Sequence, residues 1–332
     1  MPLMRELGRT GRMAGAVGMG CWAIGGHFTL HGLNDGWGDV DDAQSVRAIH
    51  TGLDLGATLF DTADAYGTGH SEDILGIALR QRRHEVVIAT KFGFTYDRST
   101  RALGDIDVSP AYIETANARS LERLGIDCID LYQIHPGELT DDQADAAAEA
   151  LEGLVERGRI AAWGWSTDNA EAARRMLVYP HFAAIQQELN VLHDGPDMLA
   201  LCAETGLASL NRSPLAMGLL SGKFSVKTQF KTDDVRGAGH AWVRHFHNGR
   251  PAPEVLARLS DLRDLLTSNG RTPAQGALAW LLARSPHTFP IPGFKTEAQV
   301  RDNLGALDKG PLPAAIMADI DRVLSRPLAA AE

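Results

Sequence analysis

Short apolar runs recur along this chain. Each is followed by a stretch in which apolar residues return at helical spacing. Thr58-Leu59-Phe60 precedes Asp61, Val86-Val87-Ile88-Ala89-Thr90 precedes Lys91, and Ile129-Asp130-Leu131-Tyr132-Gln133-Ile134 precedes His135. These read as buried strands ending in a functional side chain. Further strands are expected at Ile160-Ala161-Ala162-Trp163-Gly164-Trp165, Ala183-Ala184-Ile185-Gln186, residues 207–210 and Thr288-Phe289-Pro290-Ile291. Between them the spacing predicts helices. One over 43–55 carries Val46, Ile49, His50 and Leu53 on one side and is ended by Gly56, and one over 71–82 turns Ile74, Leu75 and Ala78 inward. A third opens at Ser109-Pro110, a serine cap with proline in the first helical position. Others are expected over 141–157, from about 169, over 198–205, 253–268 and 273–283, from 296, and over 313–324.

Strand and helix alternate eight times, the signature of a closed parallel (β/α)8 TIM barrel whose active residues stand at the carboxyl ends of the strands. A single barrel domain over 1–332 is therefore expected, with a C-terminal helix. Residues 213–253, rich in Gly, Pro, His and Lys, read as a long loop after strand seven lying over the strand ends. The competing architecture is an open doubly wound sheet, whose mark is a glycine fingerprint between the first strand and first helix. Gly18-Met19-Gly20-Cys21-Trp22-Ala23 matches that fingerprint loosely, but Gly25-Gly26 follow at once and leave no room for the helix.

Composition narrows the class. A hydrophobic content of 44% with 22% charged residues suits a soluble protein with a large core, and a formal charge of −10 without a basic stripe argues against nucleic acid as partner. Cys21, Cys128 and Cys202 are odd in number and far apart, which suggests neither a disulfide framework nor a zinc site. The charged N-terminal stretch and the lack of a long apolar run point away from secretion and from the membrane, hence to the cytoplasm. His240, Trp242, Arg244, His245 and His247 crowd the long loop without a carboxylate or cysteine to complete a metal set, so a covering loop is the expected role and no metal is expected.

If the strands lie side by side, Asp61, Tyr66, Lys91 and His135 converge as an acid, a phenol, an ammonium and an imidazole, a set suited to proton transfer. Taken singly, each has an ordinary structural explanation: a turn tyrosine, a capping aspartate, a core histidine. Their joint order along the chain is what resembles the aldo-keto reductase family. Phe60-Asp61-Thr62-Ala63-Asp64-Ala65-Tyr66-Gly67 with Ser71-Glu72, then Ala89-Thr90-Lys91-Phe92-Gly93, then Asp130-Leu131-Tyr132-Gln133-Ile134-His135 carry the resemblance, which extends from Leu7 to Leu307.

The resemblance implies a nicotinamide-dependent oxidoreductase that reversibly reduces an aldehyde, ketone or sugar-like carbonyl, with Tyr66 as proton donor. Lys91 is expected to lower the phenol's pKa, Asp61 to keep Lys91 charged, and His135 to hold the substrate oxygen. It further implies cofactor contacts from Trp22, Asp61 and Gly293, from Ser166, Thr167 and Gln186 on the nicotinamide carboxamide, from Arg212 at the position that stacks on the nicotinamide, from Ser213, Leu215 and Lys223 along the pyrophosphate, and from Lys295, Gln299, Asp302 and Asn303 at the adenosine end. Thr296 with Gln299 also forms a capping-box pattern. Lys295 favours the extra phosphate of NADP(H) over NAD(H), with Glu297 nearby to oppose it.

Leu219-Leu220-Ser221-Gly222-Lys223-Phe224 is no triphosphate loop, because Phe224 stands where a magnesium-binding hydroxyl belongs. Three positions depart from the family pattern: Arg212 replaces a stacking aromatic and brings a positive charge toward the nicotinamide, Thr167 replaces Asn, and Leu189 replaces Tyr. Trp37, with Phe28, Phe94 and Tyr96, is expected around a small-molecule substrate. Two other classes compete with a reductase. One is a redox-sensing regulatory subunit that binds the cofactor on the same fold. The other is a metal-dependent barrel hydrolase, whose paired histidines after strand one are missing from Gly18-Met19-Gly20-Cys21-Trp22.

Overall fold

A computed structural model describes residues 3–326; residues 1–2 and 327–332 of the expected domain lie outside the described residues. Eight parallel strands form one sheet in chain order: β1 (Met19–Gly20), β2 (Leu59–Asp61), β3 (Val87–Phe92), β4 (Ile129–Ile134), β5 (Ile160–Trp165), β6 (Phe182–Glu188), β7 (Ala208–Arg212) and β8 (Thr288–Pro290). The seam between β8 and β1 is closed by Gly18 N–H donating to Pro290 O at 2.9 Å and Gly20 N–H to Pro292 O at 3.0 Å, with a parallel bridge from Gly20 to Gly293. The architecture is a (β/α)8 barrel.

The α-helices are α1 (Asp42–Asp54), α2 (His70–Leu79), α3 (Pro110–Leu124), α4 (Asp141–Glu156), α5 (Ala170–Arg175), α6 (Pro196–Thr205), α7 (Pro253–Leu266), α8 (Pro273–Arg284), α9 (Glu297–Leu304), α10 (Ala306–Lys309) and α11 (Ala314–Val323), with short 3-10 turns between elements. Their starts follow local chemistry. Ser109 accepts from Tyr112 N, Thr140 and Gln143 form a reciprocal capping box, and Thr272 with Gln275 forms another. Helix α6 begins at Pro196, ahead of the apolar positions that predicted it, because proline suits a first helical turn. Among the described residues no helix is long and apolar enough to cross a membrane.

The strand pleat explains the interior. Alternate residues point inward, so Leu59, Val87, Ala89, Leu131, Ala162, Ala184, Ala208, Leu210 and Phe289 pack as one buried cluster inside the barrel. Phe60, Ile88, Tyr132, Trp163 and Ile185, on the other face, belong to the cluster shared with the helices. A hairpin of Met4–Glu6 and Met13–Gly15 closes the amino end of the barrel. There Gly8 has φ +54°, and a Cβ on it would lie 2.0 Å from Ala183 O, so only glycine seats this plug.

Two features are absent from the expectation. Phe94–Asp97 pairs with Ala102–Ile106, and this hairpin joins Thr29–Leu30 and Leu33–Asn34 in a four-stranded sheet beside the barrel mouth. The strands are too short for alternation to register. The long loop after β7 is also not free: Val235 N–H donates to Gly36 O at 2.8 Å, Trp37 bridges Asp234, and Asn34 Nδ2 donates to Asp233 O at 3.0 Å. It is a strap tied to the loop after β1.

Candidate active site

Continuing the inward rows upward from the apolar layers gives the site. Two residues beyond Leu59 stands Asp61, two beyond Ala89 stands Lys91, two beyond Leu131 stands Gln133, and two beyond Ala184 stands Gln186. The same alternation that fills the barrel therefore places an acid, an ammonium and two amides in one layer at its carboxyl end. Lys91 is fully buried; its Nζ donates to Asp61 Oδ1 at 2.6 Å, to Thr62 O at 2.7 Å and to Tyr66 Oη at 3.1 Å. The other Asp61 oxygen accepts from Gln133 Nε2 at 3.1 Å and from Gln186 Nε2 at 2.8 Å. The carboxylate and the ammonium, both out of water, are thus fully hydrogen-bonded, the condition under which a buried pair is tolerable.

The turn after β2 carries Tyr66 back over Lys91, where its phenol oxygen accepts the lysine proton and keeps its own hydrogen for another partner. Gly67, at φ +61°, lies so close to Gly25 O that a Cβ would stand 1.9 Å away, which fixes this turn against the loop after β1. His135 follows β4 and meets the Tyr66 ring edge-on at 5.6 Å between centroids. Its Nδ1 is buried without a hydrogen-bond partner among the described residues. The four sequence-predicted residues are together.

Burial raises the phenol pKa of Tyr66 above its ordinary 10 and is the larger influence; Lys91 lowers it as expected, by charge and by hydrogen bond, and Asp61, which pairs with that lysine, pushes it up again. The ammonium does not win, so the site holds a protonated phenol. Burial also weighs most on Lys91, but Asp61 and Tyr66 together outweigh it and hold the ammonium above its usual value. His135 is driven well below 6.5, by burial first and then by Lys91 and Arg212, and is neutral.

Asp61, Tyr66 and His135 line a cleft of about 740 Å³, with Lys91 buried behind them. Of the expected cofactor residues, Trp22, Asp61, Ser166, Gln186, Arg212, Ser213, Leu215, Lys223, Gly293, Lys295, Gln299, Asp302 and Asn303 line it, and so does Trp37. Thr167 does not: it is buried, and its hydroxyl accepts Asn169 N–H at 3.1 Å, ahead of α5. Tyr96 is also off the cleft, lying beneath the Arg123 guanidinium in a separate surface cavity, while Phe28 and Phe94 face the cleft as expected. Leu189, where a tyrosine was anticipated, is wholly buried in the cluster under α8.

The Arg212 guanidinium lies 3.7 Å from Glu188, which also binds Arg244 of the strap at 2.6 Å. Its charge is paired with Asp168 and only loosely with Glu188, and its field still reaches His135. At the other end, Lys295 Nζ donates to Trp37 O at 2.6 Å and Asp39 O at 2.8 Å, pinning the first loop across the cleft. Glu297 is turned away toward Thr51 and Arg47, so it does not compete for Lys295. Thr296 accepts from Gln299 N, while Gln299 Oε1 takes the N–H groups of Lys295 and Thr296 at 2.7 and 3.2 Å. The capping box and the cleft lining coexist.

Sequence reasoning missed Gln133, whose only signal was its place in the inward row of β4, and the strap anchors Arg236 and Asp234. Arg236 is bound by both Asp234 oxygens and lies over the Phe230 and Trp37 rings at 3.8 and 4.7 Å. The strap histidines are dispersed: His240 reaches Asn34 O at 2.9 Å, and among the described residues no group of three or more His, Cys, Asp and Glu could hold a metal ion.

Comparison with known proteins gives one consistent result. The model of the Aldo/keto reductase family matches residues 16–325. An aldo-keto reductase [NADP(+)] of Schizosaccharomyces pombe is 33% identical over 303 residues, 88% of this chain and 83% of that protein. An NADH-specific methylglyoxal reductase of Escherichia coli is 31% identical over 340 residues, 98% of each chain. Among solved structures, a glycerol dehydrogenase of Gluconobacter oxydans superposes with a TM-score of 0.82 at 29% identity, over 99% of this chain and 98% of that one. A Klebsiella pneumoniae aldo/keto reductase in complex with NADP and acetate gives 0.73 at 26%, over 99% and 98%.

Proposed function

The chain belongs to the aldo/keto reductase family of oxidoreductases, and from that premise we propose that it acts as one barrel unit reducing an aldehyde, ketone or sugar-like carbonyl with hydride from NADPH, reversibly, with Tyr66 as the acid. The observation that carries this reading is the 3.1 Å bond from the buried Lys91 Nζ to Tyr66 Oη at the cleft. Because Lys91 donates to the phenol oxygen, the Tyr66 hydrogen is left for a carbonyl oxygen. As hydride reaches the carbon, negative charge grows on that oxygen, and the phenol supplies the proton. The ammonium behind it then stabilises the phenolate that forms. Neutral His135 can donate a second hydrogen bond to the same oxygen.

NADPH binding is supported by the fit of the residues to its parts. Gln186 and Ser166 would hold the carboxamide with amide and hydroxyl groups, Trp22 and Arg212 would flank that end, Ser213, Leu215 and Lys223 would take the pyrophosphate, and Gly293, Lys295, Gln299, Asp302 and Asn303 the adenosine, all of them residues that line the cleft. Lys295, with Glu297 turned aside, favours the extra phosphate; the NADP-bound relative is in line with this, and the NADH-specific one marks the opposite outcome within the family. When bound, the cofactor supplies the hydride.

The test is steady-state turnover of an aldehyde, ketone and sugar panel with each cofactor. Reduction of panel members with at least about tenfold higher kcat/KM for NADPH than NADH is expected. Tight cofactor binding with no turnover on any member would replace the enzyme by a redox-sensing subunit.

A further inference from the structure

Beside Tyr66 the cleft is walled by aromatic rings, with the carboxyl of Asp35 next to them. Trp22 stacks on Tyr66 at 6.0 Å between centroids, and beyond it lie Trp37 at 5.1 Å and Trp242 at 6.1 Å. Asp35 stands behind these rings, its backbone carbonyl accepting the Trp22 Nε1–H at 3.1 Å and 13% of its side chain left open. Asp35 lines the same cleft, and its charge is felt at the Tyr66 phenol.

Its hydrogen-bonding is incomplete. Asp35 Oδ1 is buried without a hydrogen-bond partner among the described residues; His240 Nε2 stands 3.4 Å away but gives its proton to Asn34 O at 2.9 Å. Two residues on, the Trp37 indole Nε1–H is likewise buried without an acceptor. Buried polar groups are nearly always satisfied, so an orphaned acceptor and an orphaned donor on one loop at a substrate cleft call for a ligand group that both donates and accepts. A hydroxyl does both.

We infer that Asp35 is a specificity-determining residue that selects carbonyl substrates bearing a hydroxyl across an apolar spacer from the reacting carbon. This rests on the carbonyl-reducing reading above and adds the substrate class. A cationic group is the poorer fit, because an ammonium has no acceptor to offer the Trp37 indole N–H. Burial also pushes the Asp35 carboxyl up to about 7, so near neutrality much of it is uncharged and suited to a neutral partner. The aromatic rings take the spacer, and the carboxyl takes the hydroxyl beyond it.

The experiment compares three rigid aldehydes, 4-(hydroxymethyl)benzaldehyde, 4-methylbenzaldehyde and 4-[(dimethylamino)methyl]benzaldehyde, with NADPH. In the native enzyme kcat/KM for the hydroxymethyl compound is expected to exceed that for the methyl compound by about tenfold or more, since a site built for a hydroxyl penalises its loss. In Asp35→Leu this ratio falls to near one, and in the isosteric Asp35→Asn it lies between. A ratio near one in the native enzyme, a ratio kept in Asp35→Leu, or a preference for the dimethylamino compound overturns the assignment. Tryptophan fluorescence titration of the holoenzyme with 1,4-benzenedimethanol and with 4-methylbenzyl alcohol separates the two readings without turnover. Tighter binding of the diol, lost in Asp35→Leu, sustains the subsite even where no aldehyde is reduced; equal binding of both alcohols removes it.

Discussion

Tyr66 shows how burial and charge compete at one side chain. An ammonium at 3.1 Å would acidify an exposed phenol, yet here desolvation is the larger influence and Asp61 cancels part of the lysine's field, so the phenol titrates above 10. The acid form then persists across neutral pH. The alkaline loss of kcat/KM for reduction is accordingly expected only above pH 10, and a pH profile that falls at lower pH and loses that limb in Tyr66→Phe would contradict the raised value. For His135 the sign is opposite. Its folded pKa lies below 6.5, so the unfolded chain binds the extra proton first, and its contribution to stability is lost as pH falls below that value. Which residues gather was legible in the sequence, because strand ends and alternation are local. How each titrates was not, because desolvation depends on everything packed around the group. Arg212 makes the same point: its charge was readable, whereas its pairing with Asp168 and Glu188 arises from strands and loops far apart in sequence.

At the scale of elements, the long periodic helices and the apolar strands were readable, and the short pieces were not. Thr29–Leu30 and Leu33–Asn34 are two residues each; they pair with one another, and Thr29–Leu30 pairs with the hairpin after β3, only in the folded molecule. The strap was visible as length and composition, but its attachment to the loop after β1, through backbone pairing and the Asn34 side chain, joins segments far apart in the chain and leaves no local pattern. That attachment has a weak point at Gly36, where a Cβ would stand 2.2 Å from Gly26 O. Gly36→Ala should push the first loop off the strap at a packing penalty of ~1–3 kcal/mol. Because Trp37, Asp234, Arg236 and Lys295 all line the cleft beside this joint, NADPH should dissociate on the order of tenfold faster, taking ~1.4 kcal/mol per tenfold. Stopped-flow release of the cofactor checks this, and an unchanged off-rate would show that the joint does not hold the cleft shut.

Over the whole molecule the fold and the site share one cause. A closed ring of eight strands, alternating in and out, produces both the apolar layers and the polar layer above them, so the site depends on closure at the β1–β8 seam. Gly20 sits in that seam, and a Cβ there would lie 2.5 Å from Ile291 O. Gly20→Ala should therefore lower stability by ~1–3 kcal/mol in denaturant titration and weaken cofactor binding together; a stable variant with native affinity would mean that the seam is slack.

The most direct test of the chemistry is single-turnover oxidation of bound NADPH by an aldehyde in Tyr66→Phe. With the ring kept and only the hydroxyl removed, the cofactor should bind as in the native enzyme while the chemical step slows by ~10²–10⁴-fold. A phenylalanine variant that turns over within severalfold of the native rate would contradict the phenol as the proton donor.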